Sequence, residues 1–187
     1  MMKNIPIIES YWVEDGRFLA GEYPGSYDPE GTRHRMDAFL ESGIRTFIDL
    51  TQPHELSPYE PILKEQARSY EQMAVYHRFA IRDHGIPSVQ TMTLILDTID
   101  AAIESGSPVY VHCWGGVGRT GTVVGCYLVR HGMTAQKALA RVDALYKTRP
   151  QNYFAHSPET DEQADFVRKW RETPGSGHKA KQRFCEG

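Results

Sequence analysis

The stretch Pro108-Val-Tyr-Val-His-Cys-Trp-Gly-Gly-Val-Gly-Arg-Thr-Gly121 decides how the rest of this 187-residue chain is interpreted. Its apolar residues 109–111 predict a short buried strand, and a long apolar run begins at Thr120. A glycine-rich loop between a strand and a helix directs backbone N–H groups toward a phosphate. Cys113 opens the loop as a nucleophile, and Arg119 closes it with a forked, permanently charged guanidinium. The stretch therefore predicts a phosphate site that contains a reactive thiol.

Two other phosphate-binding patterns compete for the same glycines and fit less well. Gly116-Val-Gly-Arg-Thr-Gly121 matches the dinucleotide pattern G-x-G-x-x-G, which needs a following strand and an acidic residue about twenty positions on. Here two helical patterns follow in succession, and Asp143 falls inside the second. A nucleoside-triphosphate loop needs a lysine before its Ser/Thr, and no lysine lies near this loop. Both alternatives are set aside.

The pattern that fits is His-Cys-x5-Arg-Thr. A helix N-terminus, loop amides and a nearby guanidinium favour the thiolate form of a cysteine. The amides and Arg119 would bind three phosphoryl oxygens and bind them more tightly in the transition state. Cys126 lies in an apolar helical pattern, and we interpret it as an inert buried thiol.

Composition favours an ordinary folded enzyme. Hydrophobic residues make up 40% of the chain and the formal net charge is −3, so we expect no nucleic-acid partner. No apolar stretch is long enough to span a membrane, and the N-terminus has no hydrophobic signal region. We therefore expect a cytoplasmic protein with no membrane partner, and a monomer. The other histidines lack metal-ligand spacing, so no metal or cofactor is expected.

Strand and helix patterns alternate along the chain. This alternation predicts an α/β fold with a central, mostly parallel sheet flanked by helices, in one domain over residues 1–171. The polar tail, residues 172–187, is predicted to be disordered. Ser157-Pro158 is typical of a helix start and predicts a last helix ending near Trp170. The patterns predict a hairpin or two short edge strands within residues 10–23, further strands over residues 46–50, 75–81 and 109–111, and helices over residues 32–42, 62–70, 88–104, 120–131 and 134–146.

The segment His112-Cys-Trp-Gly-Gly-Val-Gly-Arg-Thr-Gly121 resembles the signature of the cysteine-dependent protein tyrosine phosphatase superfamily. Its continuation, Thr122-Val-Val-Gly-Cys-Tyr-Leu-Val-Arg130, is similar to small dual-specificity phosphatases. The resemblance extends over residues 73–170 and, more weakly, over residues 18–25. It implies a three-layer phosphatase fold and hydrolysis of phosphate monoesters through a phosphocysteine intermediate.

The resemblance also implies a role for each residue of the signature. Cys113 would be the nucleophile, Thr120 would hydrogen-bond the leaving sulfur, and His112 would position the cysteine and the loop. The phosphate would be bound by Trp114, Gly115, Gly116, Val117, Gly118 and Arg119.

The mechanism needs a general acid, typically worth about 10²–10⁴ in rate. Asp83 lies thirty residues before Cys113 in Arg82-Asp-His-Gly-Ile-Pro-Ser88, as the acid does in dual-specificity relatives. Receptor-type relatives carry Trp-Pro-Asp where this chain has Ile-Arg-Asp, which favours the dual-specificity branch. Gln163 resembles the water-positioning glutamine of the tyrosine phosphatases, and a solvated glutamine on the last helix explains it equally well.

The substrate class is left open by the sequence. Relatives that act on inositol phosphates tend to carry lysines in the loop, whereas the variable positions here are neutral. The expected substrate is therefore a protein or peptide that is phosphorylated on tyrosine, or on either tyrosine or serine/threonine for an enzyme of dual specificity. The alternatives are a phosphoinositide or small phosphate ester, and a non-catalytic phosphate-binding protein. Tyr59 and the proline-rich residues 51–61 are candidate lips of the pocket, and Asp49 has either a loop-supporting or a purely structural role.

Overall fold

The computed structural model describes residues 4–150 and 154–172. The described part contains five strands, numbered in chain order β1 (Ser10–Glu14), β2 (Phe18–Gly21), β3 (Thr46–Asp49), β4 (Val75–Arg78) and β5 (Val109–His112). It also contains six helices, α1 (Pro29–Glu41), α2 (Glu60–Ser69), α3 (Val89–Glu104), α4 (Gly118–Arg130), α5 (Ala135–Tyr146) and α6 (Asp161–Lys169).

The five strands form one sheet in the order β1-β2-β5-β3-β4. Only the β1–β2 hairpin is antiparallel; β5 pairs in parallel with β2 on one side and β3 on the other. The last strand in the chain, β5, is thus the central strand of the sheet. Ligands of open α/β sheets bind beyond the carboxyl ends of the strands, where the strand order reverses. The segment that follows β5, which begins at Cys113, lies at that position.

Two apolar clusters cover the two faces of the sheet, because alternate side chains of a strand point to opposite faces. Phe47 and Tyr110 pack with residues of α1 and α2. Val109 and Val111 pack with residues of α3, α4 and α5. The result is the predicted three-layer α/β fold. Helix α4 is buried almost all round, as its run of apolar residues predicts.

Some predicted boundaries were wrong. Strand β4 ends at Arg78 rather than continuing to residue 81. The last helix does not start at Ser157: its N-cap is Thr160, whose side chain accepts a hydrogen bond from the Gln163 amide in a capping box. The Ser157 hydroxyl instead donates a hydrogen bond to the Val117 carbonyl. The predicted tail lies outside the described residues except for Glu172, so its predicted disorder and the domain boundary stay predictions.

Candidate active site

The segment between β5 and α4, here called the phosphate loop (residues 113–119), turns its carbonyl groups outward onto fixed partners. The Trp114 carbonyl accepts from the Tyr23 backbone N–H at 2.7 Å. The Gly115 carbonyl accepts from Nη1 of Arg149 at 2.9 Å. Arg149 is buried, so this charged donor is shielded from water and its bond is stronger than a neutral one.

The same arrangement continues at the helix end of the phosphate loop. The Val117 carbonyl accepts from the Ser157 hydroxyl at 2.8 Å and from the Gly121 N–H at 3.1 Å. Among the residues that the structure describes, no acceptor is found for the backbone N–H groups of residues 114–119. Unpaired amides next to a helix N-terminus form an anion-binding site. The loop therefore has the geometry of an anion-binding site.

Two glycines of the phosphate loop are required by close packing. Gly116 has φ of 68°, and a Cβ there would lie 2.2 Å from the backbone carbon of Gly21 at the end of β2. A Cβ on Gly118 would lie 2.8 Å from both polar atoms of the Gln163 amide. Real Cβ contacts are essentially never this short, so a side chain on Gly116 would displace backbone, whereas one on Gly118 would displace the Gln163 amide.

His112 is buried at the end of β5 and bridges the cysteine to a tyrosine. Its Nδ1 lies 3.1 Å from the Cys113 carbonyl and its Nε2 lies 2.8 Å from the Tyr59 hydroxyl. Burial lowers the pKa of His112, although the Asp49 carboxylate opposes the shift. In the neutral ring, Nδ1 must carry the proton because a carbonyl can only accept, so Nε2 accepts from Tyr59. The interpretation of Tyr59 as a pocket lip was wrong, because the Tyr59 side chain is buried and its hydroxyl is hydrogen-bonded to His112.

Arg119 makes a forked ion pair that the sequence did not predict. Its Nη1 and Nη2 donate to the two carboxylate oxygens of Glu55 at 2.9 and 2.6 Å. Nη1 also donates to the Ile81 carbonyl at 3.1 Å, and Nη2 lies 2.9 Å from a carboxylate oxygen of Asp83. Glu55 sits in the proline-rich loop after β3. The guanidinium is thus held in place before any substrate arrives.

The charges around Arg119 stabilise one another. Burial alone would lower the pKa of Arg119, but the hydrogen bonds to Glu55 and the electrostatic interaction with Cys113 outweigh it and raise the pKa. Burial alone would raise the pKa of Glu55, but the bonds from Arg119 and from the Gln52 N–H outweigh it and lower the pKa. Both side chains therefore keep their charges at neutral pH.

Asp83 lies in the loop between β4 and α3, here called the acid loop (residues 82–88). Its side chain is 44% exposed and faces Arg119. The neighbouring His84 lies 3.5 Å from Asp83 through Nε2 and 3.3 Å from a Glu159 oxygen through Nδ1. The structure therefore brings the predicted acid to the phosphate loop, and it adds two titratable side chains beside it.

Gln163 is buried at the start of α6, so the interpretation as a solvated glutamine was wrong. Thr120 is also buried, and within the described ranges 4–150 and 154–172 its hydroxyl oxygen has no hydrogen-bond partner. Cys126 is buried inside α4, where burial raises the pKa of its thiol well above the ordinary value. Cys113 is 3% exposed and lies at the base of the site.

Asp49 has a structural environment. One carboxylate oxygen accepts from the amide and hydroxyl of Thr51, at 2.8 and 2.6 Å. The other accepts from the Tyr76 hydroxyl at 2.7 Å and from Nη2 of Arg78 at 2.9 Å. These bonds use both oxygens and tie β3 to β4. The structural interpretation of Asp49 therefore fits, and none of these bonds reaches the phosphate loop.

A cavity of about 250 Å³ opens at this site. Of the predicted residues, Gly116, Thr120 and His112 do not line it; the others do, namely Asp83, Cys113, Trp114, Gly115, Val117, Gly118, Arg119 and Gln163. Sequence reasoning missed three lining residues, His84, Phe154 and Glu159. Trp114 and Phe154 are 57% and 42% exposed, so two apolar rings lie at its rim.

Over residues 4–150 and 154–172, no group of three or more His, Cys, Asp or Glu side chains is placed to hold a metal ion. In the same part of the chain, no helix is long and apolar enough to cross a membrane.

Comparison with known proteins agrees with the fold and with the family resemblance. A family profile described as "Polymorphic toxin system, DSP-PTPase phosphatase" matches residues 24–133, which is more than half of the chain. The chain therefore belongs to the cysteine-dependent protein tyrosine phosphatase superfamily, in its dual-specificity branch. The resemblance inferred from the signature is confirmed.

The chain is also similar to a curated relative and to two solved structures. The protein tyrosine phosphatase domain-containing protein 1 of Mus musculus is 32% identical over 145 residues, which is 73% of this chain and 19% of that protein. The chain thus spans about a fifth of the length of that relative. The structure of Tk-PTP in its active form has a TM-score of 0.67 at 22% identity, covering 86% of this chain and 94% of that one. PTPMT1 in complex with PI(5)P has a TM-score of 0.65 at 17% identity, covering 86% and 92%. These likenesses confirm the phosphatase fold.

Proposed function

We propose that this chain hydrolyses phosphate monoesters of protein side chains through a phosphocysteine intermediate. The substrate residue is phosphotyrosine alone, or both phosphotyrosine and phosphoserine/threonine. One observation carries the proposal. Cys113 and Arg119 stand at the two ends of a loop whose carbonyls are bonded outward and whose amides are unpaired. That arrangement fits a tetrahedral dianion whose phosphorus lies in line with the thiolate. Phosphoryl transfer depends mainly on such positioning and charge, so no metal or cofactor is required.

In the first step, the Cys113 thiolate attacks phosphorus, and an S–P bond forms as the bond to the leaving oxygen breaks. The amides of residues 114–119 and the Arg119 guanidinium hold the three remaining oxygens. The Asp83 carboxyl gives its proton to the leaving oxygen. An incoming dianion competes with Asp83 for Arg119, which frees the carboxyl to turn toward the leaving group.

In the second step, water attacks phosphorus and the S–P bond breaks. Asp83, now a carboxylate, accepts the proton of the attacking water, as microscopic reversibility requires. The thiolate of Cys113 is the leaving group, and the buried hydroxyl of Thr120 is the donor proposed to stabilise it. Phosphate then leaves and the enzyme returns to its starting state.

The cavity lining favours a single phosphate on an aromatic or protein side chain. Arg119 is the only permanently charged cation among the described residues that line it, while Asp83 and Glu159 are carboxylates. A head group with several phosphates would find no second fixed positive charge and would be repelled by the carboxylates. The rings of Trp114 and Phe154 offer apolar contact to a phenol ring. The alternative, a phosphoinositide substrate, rests on the fold shared with PTPMT1, which was solved in complex with PI(5)P.

The same proposal extends to the domain, the location and the partners of the protein. Residues 1–171 form the phosphatase domain, which acts as a cytoplasmic monomer on phosphorylated proteins or peptides. Neither a nucleic acid nor a membrane is a partner.

A substrate panel tests the proposal. Values of kcat/KM are measured on phosphotyrosine peptides, phosphoserine and phosphothreonine peptides, a phosphoinositide in detergent, and a nucleotide. We expect phosphopeptides to exceed phosphoinositide and nucleotide by at least about tenfold, since one well-matched contact is worth that much. The Cys113→Ser variant should be inactive on every substrate. A phosphoinositide turned over faster than any peptide would establish the alternative, and activity retained in Cys113→Ser would contradict the mechanism.

A further inference from the structure

The Gln163 side chain lies between the phosphate loop and the acid loop. It is 0% exposed, yet its amide reaches the cavity that holds Cys113. On one side the amide lies against Gly118 of the phosphate loop, where an added Cβ would come within 2.8 Å of both its polar atoms. On the other side it reaches Gly85 of the acid loop. This one side chain therefore touches both loops.

Both polar atoms of the Gln163 amide are already bonded to the protein. The Oε1 atom accepts from the Thr160 backbone N–H at 3.1 Å, which closes the capping box of α6. The Nε2 atom donates to the Gly85 carbonyl at 3.2 Å. These two bonds fix the plane of the amide and use one of the two Nε2 hydrogens and one of the two Oε1 lone pairs. The bonds that the structure shows therefore cap a helix and hold a loop.

The Gly85 bond lies two residues from Asp83. Other contacts near this point join His84 to Glu159 at 3.3 Å and Asp83 to Arg119 at 2.9 Å, and Arg119 also donates to the carbonyl of Ile81, just before the loop, at 3.1 Å. The Asp83–Arg119 contact is the one that an incoming phosphate displaces. During catalysis, the Gln163–Gly85 bond is thus a main constraint on where the Asp83 carboxyl stands.

We infer that Gln163 is a positioning residue for the general acid: its amide anchors the acid loop to α6 and the phosphate loop. The inference rests on the proposed function, since it assumes that Asp83 protonates the leaving oxygen. It differs from the water-positioning role that the resemblance implies. The two roles act in different half-reactions, so kinetics separate them.

The distinguishing quantity is the dependence of kcat/KM on the leaving group. For a two-step phosphatase, kcat/KM reports only the steps up to phosphocysteine formation, and the second step affects kcat alone. An acid matters most for poor leaving groups such as phenol and least for good ones such as nitrophenol. Loss of acid positioning therefore lowers kcat/KM selectively for phenyl phosphate. Loss of water positioning lowers kcat on all substrates and lets phosphocysteine accumulate.

Gln163→Glu is the sharpest variant. A glutamate at this position of a capping box still accepts from the Thr160 N–H, so the helix cap is retained. It cannot donate to the Gly85 carbonyl and repels it. The added carboxylate repels every phosphate dianion alike, so the readout is the ratio between substrates: we expect kcat/KM to fall about tenfold or more further on phenyl phosphate than on nitrophenyl phosphate, a part of the 10²–10⁴ that a general acid supplies. Gln163→Met, which removes both bonds without adding charge, should show the same selectivity.

Two controls make the outcomes distinct. Gln66→Met removes a comparable interelement bond, from Nε2 of Gln66 to Asp37 at 2.6 Å, far from the cavity, and should leave kcat/KM unchanged. In Asp83→Asn, the loss of kcat/KM should by itself depend steeply on the leaving group, and adding Gln163→Met to it should cause no further loss. Additive losses in the double variant would overturn the inference.

The other possible outcomes also distinguish acid positioning from water positioning. A uniform loss of kcat with accumulated phosphocysteine in Gln163→Glu would overturn the inference in favour of water positioning. Unchanged kinetics in both Gln163 variants would overturn it too. If Asp83→Asn showed no dependence on the leaving group, the assignment of the acid in the proposed function would fail first. That failure is separate from one in which Asp83→Asn behaves as expected and the Gln163 variants do not.

Discussion

The phosphate loop and the acid loop lie on opposite sides of one cavity and are built in different ways. Most of the phosphate loop is buried, and its carbonyls are bonded to the Tyr23 N–H just after β2, to Arg149 and to Ser157. The acid loop carries a half-exposed Asp83 and is attached to the site through Arg119, His84 and Gln163. Anion binding is therefore set in advance, whereas the acid is held by side-chain contacts that a substrate can exchange.

This difference matches the tasks that we propose for the two loops. A transition-state charge is best stabilised by dipoles that need no reorganisation, which the phosphate loop provides. A general acid has to approach leaving groups of different size and then serve as the base, so a displaceable attachment suits it. We therefore expect changes in the phosphate loop to affect all substrates equally, and changes in the acid loop to depend on the leaving group.

Asp83→Asn should give the largest selective effect. An amide cannot give up a proton to the leaving oxygen, so kcat/KM on a poor leaving group should fall by about 10²–10⁴. On a good leaving group the loss should be far smaller. Steady-state assays over a series of aryl phosphates give the slope directly. An equal loss across the series would place Asp83 among the binding groups and remove the contrast between the loops.

Arg119→Lys should reduce activity on every substrate. A lysine keeps the positive charge but lacks the fork that contacts Glu55 and a phosphate at once. Removing one preorganised donor of a transition-state charge costs about 10²–10³ in rate. The loss should be the same for good and poor leaving groups, measured as kcat/KM on the same series. A loss confined to poor leaving groups would mean that Arg119 acts mainly through Asp83.

Arg149→Met should have the smallest effect on catalysis and a clear effect on stability. The change removes a charged donor from the Gly115 carbonyl and an ion pair at 3.6 Å from Glu22. A hydrogen bond from a charged group contributes about 1.5–3 kcal/mol. Urea denaturation should show that loss in the free energy of unfolding, and the affinity for inorganic phosphate should weaken with it. Unchanged stability would show that the loop does not depend on its outward bonds.

The two loops also differ in what the sequence predicts of them. The phosphate loop follows from one contiguous stretch, because strand, glycines, cysteine and arginine are neighbours in the chain. Its supports do not: Glu55 lies 64 residues from Arg119, and Ser157 lies 40 residues from Val117. Such contacts leave no periodic pattern, so only the folded chain reveals them.

Local rules also misplaced the start of the last helix. Ser157-Pro158 satisfies the capping pattern, yet the Ser157 hydroxyl is bonded to the Val117 carbonyl and the capping box forms at Thr160 and Gln163. A tertiary hydrogen bond outweighed a local preference here. The same competition explains Tyr59, which is placed in a loop by its sequence neighbours but is buried against His112 in the folded chain.

Trapping the phosphoenzyme tests the central claim most directly, namely that the loop positions a phosphate for attack by Cys113. The Asp83→Asn variant, which lacks the base for the second step, is mixed with an aryl phosphate that has a good leaving group. The reaction is quenched within milliseconds and digested for mass spectrometry. The account predicts one added phosphoryl group on the peptide that contains Cys113, and none in the Cys113→Ser control. Turnover with the phosphoryl group on another residue, or with no phosphoenzyme at any time, would contradict it.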